Sequence, residues 1–375
     1  DAAYPNGGRL ELQANMTLQG QPGNWDAVWI FVKRQNCSGN NDWVHQLVST
    51  TSADHNAQNG GAQSTIVAVN AAADGMGVFV RRIGTNVVGN VSAQTITLKL
   101  GATNPSITTS NSDNFEVIGV EMVYVPQGQF YIGDGRTDYN SFSNGNSSNP
   151  KLIDATIQSN GLGIASNYQI SNLGSSGSLP STFPLGYNRF YCMKYEITAA
   201  QYVAFLNTLT YKQQLRMQRD YNSNITPPTS PAGTQFHCWP CGNRSANIVI
   251  ATPGQSVTQI SPAVYANDFD NDGIYNEDSD GLGFPITLNM KNFFAFLDWA
   301  AIRPMTEFEY EKAVDGMRQI LWGLFKKVVI ADNCALIVNT VFENSEDYSG
   351  SSLLIGAVLF SFQIYCDFSG YSDIA

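Results

Sequence analysis

The chain has 375 residues, of which 43% are hydrophobic and only 14% charged, and its formal net charge is −11. That length points to two or three domains, and the charged fraction is well below the usual quarter. The acidic balance, with a pI of about 4.7, excludes a nucleic-acid partner and speaks against an anionic lipid surface; it suits divalent cations or a hydrated glycan matrix.

Asn, Ser, Thr, Gly and Gln replace the missing charge. With 33 glycines and many short apolar runs they predict a β- and loop-rich extracellular protein. The chain begins DAAYP without an initiator Met, which reads as a secreted or cell-surface protein whose signal peptide has been removed. Six cysteines (Cys37, Cys192, Cys238, Cys241, Cys334 and Cys366) are too few for a disulfide scaffold.

In chain order, strand signals fill the segment from Arg9 to Ile118. LELQANMTLQ alternates apolar and polar residues, WDAVWIFVKRQ reads as a buried strand with a charged exit, and GMGVFVRRIG and TITLKLG follow. Turn clusters QPGN, CSGNND and QNGG separate them, so residues 1–118 are predicted to form a β-sandwich. Trp25, Trp29 and Trp43 offer a carbohydrate platform, but period-two spacing in WDAVW favours aromatics of the sandwich core. SITTSNSDNFEV (Ser106–Val117) reads as a polar joint. EMVYVPQGQFYIGDG (Glu121–Gly135) gives two short β runs broken at Pro126–Gly128, and the Ser/Asn/Gly/Thr-rich stretch to about Pro184 reads as peripheral loop.

FYCMKYEITAAQYVAFLNTLT (Phe190–Thr210) switches to helical period. Thr198 is the expected N-cap, with Tyr202, Phe205, Leu206 and Leu209 on one face. HCWPCGN holds the close pair Cys238 and Cys241 in a Pro/Gly/Asn loop. A thioredoxin-like site needs that pair opening a helix after a strand, and a zinc site needs a second ligand pair where there is only His237; a structural disulfide or buried thiols remain.

NDFDNDGIYNEDSDG (Asn267–Gly281) is the best ligand motif. Asp268, Asp270 and Asp272 alternate, Gly273 permits a sharp turn, Ile274 offers a carbonyl and Asn276 falls where a water-mediated ligand would sit. Position twelve is Ser279, flanked by Asp278 and Asp280, so a bound Ca²⁺ would be held more weakly than in an EF-hand, ordering a loop rather than catalysing. The bland reading is a solvated acidic loop. Beyond it, MKNFFAFLDWAA (Met290–Ala301) predicts a second helix, and Thr306 with Glu309 three residues later forms a capping box that opens a third.

MVYVPQGQFYIGDG, FYCMKYEITAAQYVAFLNTLT and FLDWAAIRPMTEFEYEKAV together resemble the formylglycine-generating enzyme, or sulfatase-modifying-factor, family. The resemblance covers about Glu121 to Val314 and implies an α+β, C-type-lectin-like domain with much irregular loop; the strand-rich N-terminal region looks like a partner domain found on some bacterial members. The family's Arg-Gly-Gly-Ser-type strand and copper-binding cysteine pair lie in a half this sequence does not reach. No cysteine here matches that pair, copper is not supported, and no catalytic residue is carried over.

From Gly316 the run changes character. GLFKKVVIADN and FQIYCDFSGYSDIA closely resemble the membrane-bound O-acyltransferases of the alginate-acetylation type, polytopic enzymes that pass an acyl group to a polysaccharide hydroxyl. The catalytic histidine that this resemblance implies lies beyond the stretch, since His45, His55 and His237 are all upstream. From Tyr348 to Cys366 run nineteen residues without a formal charge, near the length of a bilayer span. The Leu321–Val341 run, interrupted by Lys326, Lys327 and Asp332, reads as an interfacial helix.

The expected architecture is therefore a β-sandwich (1–118), an incomplete formylglycine-generating-enzyme-like domain (119–314) and an apolar helical tail (315–375). The two resemblances meet at Ala313–Gly316. Three readings follow: the products of two genes joined into one chimeric chain, a fusion that anchors a secreted domain, or a tail that folds as soluble core. The leading functional expectation is a secreted, non-catalytic bacterial surface or matrix protein acting in binding or assembly, with itself or with an extracellular glycan or protein, and calcium stiffening its loops. The alternatives are a copper-dependent formylglycine-generating oxidase whose active half lies elsewhere, and a fragment of a membrane O-acyltransferase. A membrane partner is expected only if the tail belongs to the chain.

Overall fold

The computed structural model describes residues 9–14, 26–35, 41–59, 61–83, 94–101, 113–133, 149–162, 179–217, 227–236, 248–257, 260–269, 273–274, 286 and 288–374. The chain is mixed α+β with antiparallel sheets and an apolar C-terminal helix. Its first strands are β1 (Arg9–Ala14), β2 (Ala27–Gln35), β3 (Trp43–Gln46), β4 (Asn56–Asn59), β5 (Ala62–Gln63), β6 (Val67–Ala71), β7 (Val78–Arg82) and β8 (Gln94–Lys99). Then come β9 (Asn114–Val125), β10 (Phe130–Ile132), β11 (Lys151–Ile153), α1 (Ala155–Asn160), β12 (Phe190–Met193), α2 (Ala199–Asn207) and α3 (Tyr211–Met217). The chain continues through β13 (Ile248–Thr252), β14 (Val264–Asn267), α4 (Met290–Trp299) and α5 (Glu307–Leu324), and ends in α6 (Asp332–Glu343) and α7 (Gly350–Ile374).

Two compact units form: residues 1–124 with 191–304, and residues 125–190 with 305–375. In the first, β2 is the central strand. It pairs antiparallel with β9 along nine residues, from Ala27↔Met122 to Gln35↔Asn114. Its other edge is shared by β7 (Ala27–Ile30) and β3 (Val32–Gln35). The six-stranded sheet runs β12-β9-β2-β7-β6 with β3 on β2, and a second sheet runs β1-β8-β4-β5.

Both faces of β2 are covered, which is why the strand is buried throughout rather than alternating with water. Val28, Ile30 and Val32 pack with Val67, Val69, Val78 and Val80 against Ala57, Ile96 and Leu98 of the second sheet, a sandwich core of β-branched residues. Trp29 and Phe31 face the other way, into a core built by residues far along the chain: Tyr202, Phe205, Phe296 and Trp299. Trp29 Nε1 donates to Ala300 O at 2.9 Å, so this tryptophan belongs to the core and not to a sugar platform. Trp43 is half-buried on β3; Trp25 lies outside the described residues.

The helices form where their end signals stand. Thr198 caps α2 and Thr306 caps α5, each in a full capping box with Gln201 or Glu309 returning to the cap backbone. Tyr202, Phe205, Leu206 and Leu209 are all buried, as their 3.6-residue spacing predicts. Side-chain amides join helix to strand: Asn207 donates to Tyr265 O and accepts from Tyr265 N, and Gln214 does the same for Ala263. Those amides satisfy backbone in β14 and just before it that a neighbouring strand would otherwise have to pair.

Two differences from the sequence reading have clear causes. The polar joint is strand from Asn114 onward, and β9 runs unbroken through residue 118, because NFEVIGVEM finds a full-length partner in β2. The charged exit of β2 is also inside. Arg34 is 1% exposed and pairs with Asp113, itself supplied from that joint, through Nε at 2.7 Å and Nη2 at 2.5 Å. Burying this cation requires the aligned carboxylate.

In the second unit, β10 and β11 pair antiparallel and pack with Ile157, Leu162, Leu185 and Phe308. Gly186 has φ +82°, and a Cβ there would stand 2.8 Å from the Phe130 ring and 2.9 Å from Phe308 O, so only glycine fits. Lys312, one turn into α5, points its ammonium at three carbonyls: Pro126 at 2.6 Å, Gly186 at 2.9 Å and Tyr187 at 3.3 Å. All three protons are used, which fastens the first turns of α5 to this small core.

Candidate functional site

Beyond Lys312 the same helix changes its surroundings. α5 continues without a break through a π-helical stretch, Phe325–Ala331, into α6, and after a short 3₁₀ turn, Ser345–Asp347, α7 returns alongside. The pair is antiparallel: a Cβ on Gly356 would meet Val341, and one on Gly370 would meet Gly323 O at 2.9 Å and Lys327 at 3.3 Å. Phe342 and Phe360 stack edge to face between them.

The residues buried along this hairpin are Gly323, Ala331, Val338, Val341, Gly356, Cys366 and Gly370. The large ones point out: Leu321, Leu336 and Leu354 are each 68% exposed, and Phe368 74%. Small residues inside and large apolar residues outside invert the order of a water-soluble helix pair. This is how helices pack when the surrounding medium is as apolar as leucine. α7 from Gly350 to Asp373 is long and apolar enough to cross a membrane.

The two lysines of the hairpin sit at its open end and are paired, while Glu343, Glu346 and Asp347 lie exposed at its turn. Lys326 Nζ donates to Asp373 at 2.6 Å and to Ser369 Oγ at 2.8 Å. Lys327 Nζ reaches Asp367 at 2.7 Å and Asp332 at 3.0 Å. The wider π turn lets two consecutive lysines both reach α7, which neighbours on an α-helix, 100° apart, do poorly. The ion pairs and the Gly323–Gly370 approach hold the same end of the hairpin together, and the uncharged run from Tyr348 to Cys366 extends away from it.

In the first unit a different polar cluster is buried. Lys33 is 6% exposed, with its ammonium 3.2 Å from His45 Nδ1 and over the Phe31 and Trp299 rings. Burial pulls the Lys33 pKa down to about 8, against the pull of Asp298 and Glu116. Burial and then the Lys33 charge lower that of His45, and burial raises that of Glu116. Sequence reasoning missed this cluster. The one available signal was a lysine continuing the odd-numbered buried face of Trp29 and Phe31.

Of the residues singled out as calcium ligands, Asp268 is buried directly after β14, while Ile274 is exposed beside Gly273, whose φ is +76°. Asp270, Asp272, Asn276, Asp278 and Asp280 lie outside the described residues, as do His237, Cys37 and the Cys238–Cys241 pair. Among the described residues no three His, Cys, Asp or Glu side chains form a metal-sized cluster; Cys334 and Cys366 are free thiols.

Comparison with known proteins bears on the C-terminal stretch. It is similar to a probable alginate O-acetylase of Azotobacter vinelandii, 42% identical over 65 residues, 17% of this chain and 13% of that protein. It is also similar to a peptidoglycan O-acetyltransferase of Helicobacter pylori, 47% identical over 53 residues, 14% of this chain and 10% of the relative. A probable alginate O-acetylase of Pseudomonas aeruginosa is 38% identical over 65 residues. The chain thus spans about an eighth or less of the length of these curated relatives. No protein-family model matches the chain, and no solved structure matches it.

Proposed function

We propose that the C-terminal hairpin is a membrane segment of the polysaccharide O-acyltransferase kind, and that it ties the α+β part of the chain to a bilayer. The observation that carries this reading is the inverted packing of α5–α7, glycine and alanine inside, leucine and phenylalanine outside, in the stretch that matches O-acetylases. The segment supplies a membrane scaffold; no reacting group is assigned to it. The division into 1–118, 119–314 and 315–375 belongs to the same proposal. The test is peptide mapping of alkaline-washed membranes for a fragment spanning Ala313 to Arg318. Its recovery with the membranes supports a tethered chain. Abundant peptides up to Lys312 with none beyond Asp315 would mean that the hairpin belongs to another polypeptide.

A second reading concerns the α+β part alone: a secreted or surface-exposed, non-catalytic domain of the formylglycine-generating-enzyme, C-type-lectin-like kind, used in binding or assembly and stiffened by calcium. Its support is the resemblance of MVYVPQGQFYIGDG and RPMTEFEYEKA, together with one structural observation. Asn267 and Asp268 lead into the acidic loop with buried side-chain oxygens that have no hydrogen-bond partner among the described residues, and a buried orphan of that kind calls for an ion or a water. Calcium titration followed by thermal melting tests it: a rise in the midpoint supports the site, and an unchanged midpoint at millimolar Ca²⁺ counts against it.

A further inference from the structure

The buried cluster on β2 and β3 has a strict proton logic. His45 Nε2 lies 2.5 Å from Met76 O, and a carbonyl can only accept, so Nε2 carries the hydrogen. The neutral ring then has its lone pair on Nδ1, and the Lys33 ammonium donates to it from 3.2 Å. Lys33 and His45 are direct cross-strand partners, and Phe31 lies parallel to the imidazole at 5.9 Å. A second proton on the ring would place N–H against N–H and cation against cation across that 3.2 Å gap. One of the two groups must then leave.

The neighbours on every packed element say which. Glu116 of β9 is the cross-strand partner of Lys33 on its other side, and Asp298 of α4 also faces the lysine. The ring is faced by Asp74 and the Met76 carbonyl from the β6–β7 turn, and by the backbone of Trp299 at the end of α4. A protonated ring therefore gains an acceptor in the negative end of α4, while the flexible lysine stem has two carboxylates to turn to.

We propose that Lys33 and His45 form a pH-operated latch, in which one proton taken from solvent at His45 Nδ1 expels the Lys33 ammonium and loosens β3 from β2. The latch is closed at neutral pH and opens in mild acid. It lies wholly in the first unit and does not depend on the membrane reading of the hairpin.

The test uses the full chain in detergent. With ¹⁵N-histidine labelling, His45 at pH 7.5 shows the neutral ring protonated at Nε2, and Lys33→Met moves its titration midpoint upward, toward the ordinary histidine value. Hydrogen exchange of the peptide covering 43–48, corrected for intrinsic rates, loses protection on going from pH 7.5 to 5.5, by at most about tenfold per pH unit for one linked proton. His45→Gln abolishes that acid step and His55→Gln keeps it. An Nδ1-protonated neutral ring, a midpoint unmoved by Lys33→Met, or an acid step that survives in His45→Gln would each overturn the latch. The Lys33→Met titration decides the matter even if His45→Gln folds poorly.

Discussion

Around Tyr202, Phe205, Phe296 and Trp299 the bulk of the side chains is inside, with ring centroids 5.4 to 5.9 Å apart, and the buried indole N–H groups are paired. Trp299 Nε1 donates to Thr208 Oγ1 at 2.7 Å, and Trp29 Nε1 to Ala300 O at 2.9 Å. Along α5–α7 the same residue types are arranged the other way, with glycines at the contact and phenylalanines outside. Both regions are regular and internally hydrogen-bonded, so they do not differ in how well they fold. On the reading proposed above, they differ in the solvent each is built against: water for the α+β part, hydrocarbon for the hairpin.

Truncating bulk in the two regions should therefore give opposite answers. The largest effect is expected for Phe205→Ala, which empties the aromatic core and should cost about 3–5 kcal/mol in denaturant unfolding of the first unit. The equally apolar Phe368→Ala in the hairpin should leave unfolding in detergent nearly unchanged, because Phe368 is 74% exposed. If both cost the same, the contrast drawn here is wrong.

Adding charge sharpens the comparison from the other side. Leu354→Asp places a carboxylate on the outward face of α7, which in a bilayer costs roughly 2.5–3.5 kcal/mol near the centre of a span. The expected outcome is a drop in the fraction of chain resisting alkaline extraction from membranes. In water the same change is harmless, so an unaltered membrane fraction together with better solubility would favour a soluble tail.

Acid and base act on the first unit through Lys33 and His45. Lys33 titrates at about 8 when folded and at 10.5 when unfolded. Between those values the unfolded chain binds more protons, so stability should rise with pH across that window. For His45 the folded pKa is also depressed: its contribution is complete above the ordinary value of 6.5 and is lost as pH falls below it. Unfolding free energy measured against pH should slope upward in both windows, and Lys33→Met should flatten the alkaline one.

The smallest effect is expected at Ala301, which follows α4 with φ +54°, a left-handed conformation that glycine adopts without penalty. Ala301→Gly should stabilise the first unit by about 1 kcal/mol, read as a higher denaturation midpoint. A lower midpoint would mean that the methyl group packs usefully.

Local signals carried much of this fold. Thr198 and Thr306 announce their helices, because a cap is satisfied within three residues and needs no distant partner. WDAVWIF announces a buried strand, and the uncharged run from Tyr348 announces α7. What could not be read depends on partners far away in sequence. The second face of β2 is covered by residues near 200 and 300, Arg34 is admitted to the interior by Asp113, and Asn114 becomes strand because β2 offers it a full register. The hairpin site was half legible for the same reason. Apolar length is visible in the letters, but that Gly370 lies on Gly323, and Lys326 and Lys327 on Asp373 and Asp367, appears only once the helices are paired.

The most direct test of the contrast is protease protection. The full chain reconstituted into lipid vesicles and treated with proteinase K should leave a protected fragment containing Gly350–Asp373, with the α+β part digested or released. Complete loss of that fragment, with the vesicles intact, would show that α7 lies in water and would contradict the membrane assignment of the hairpin.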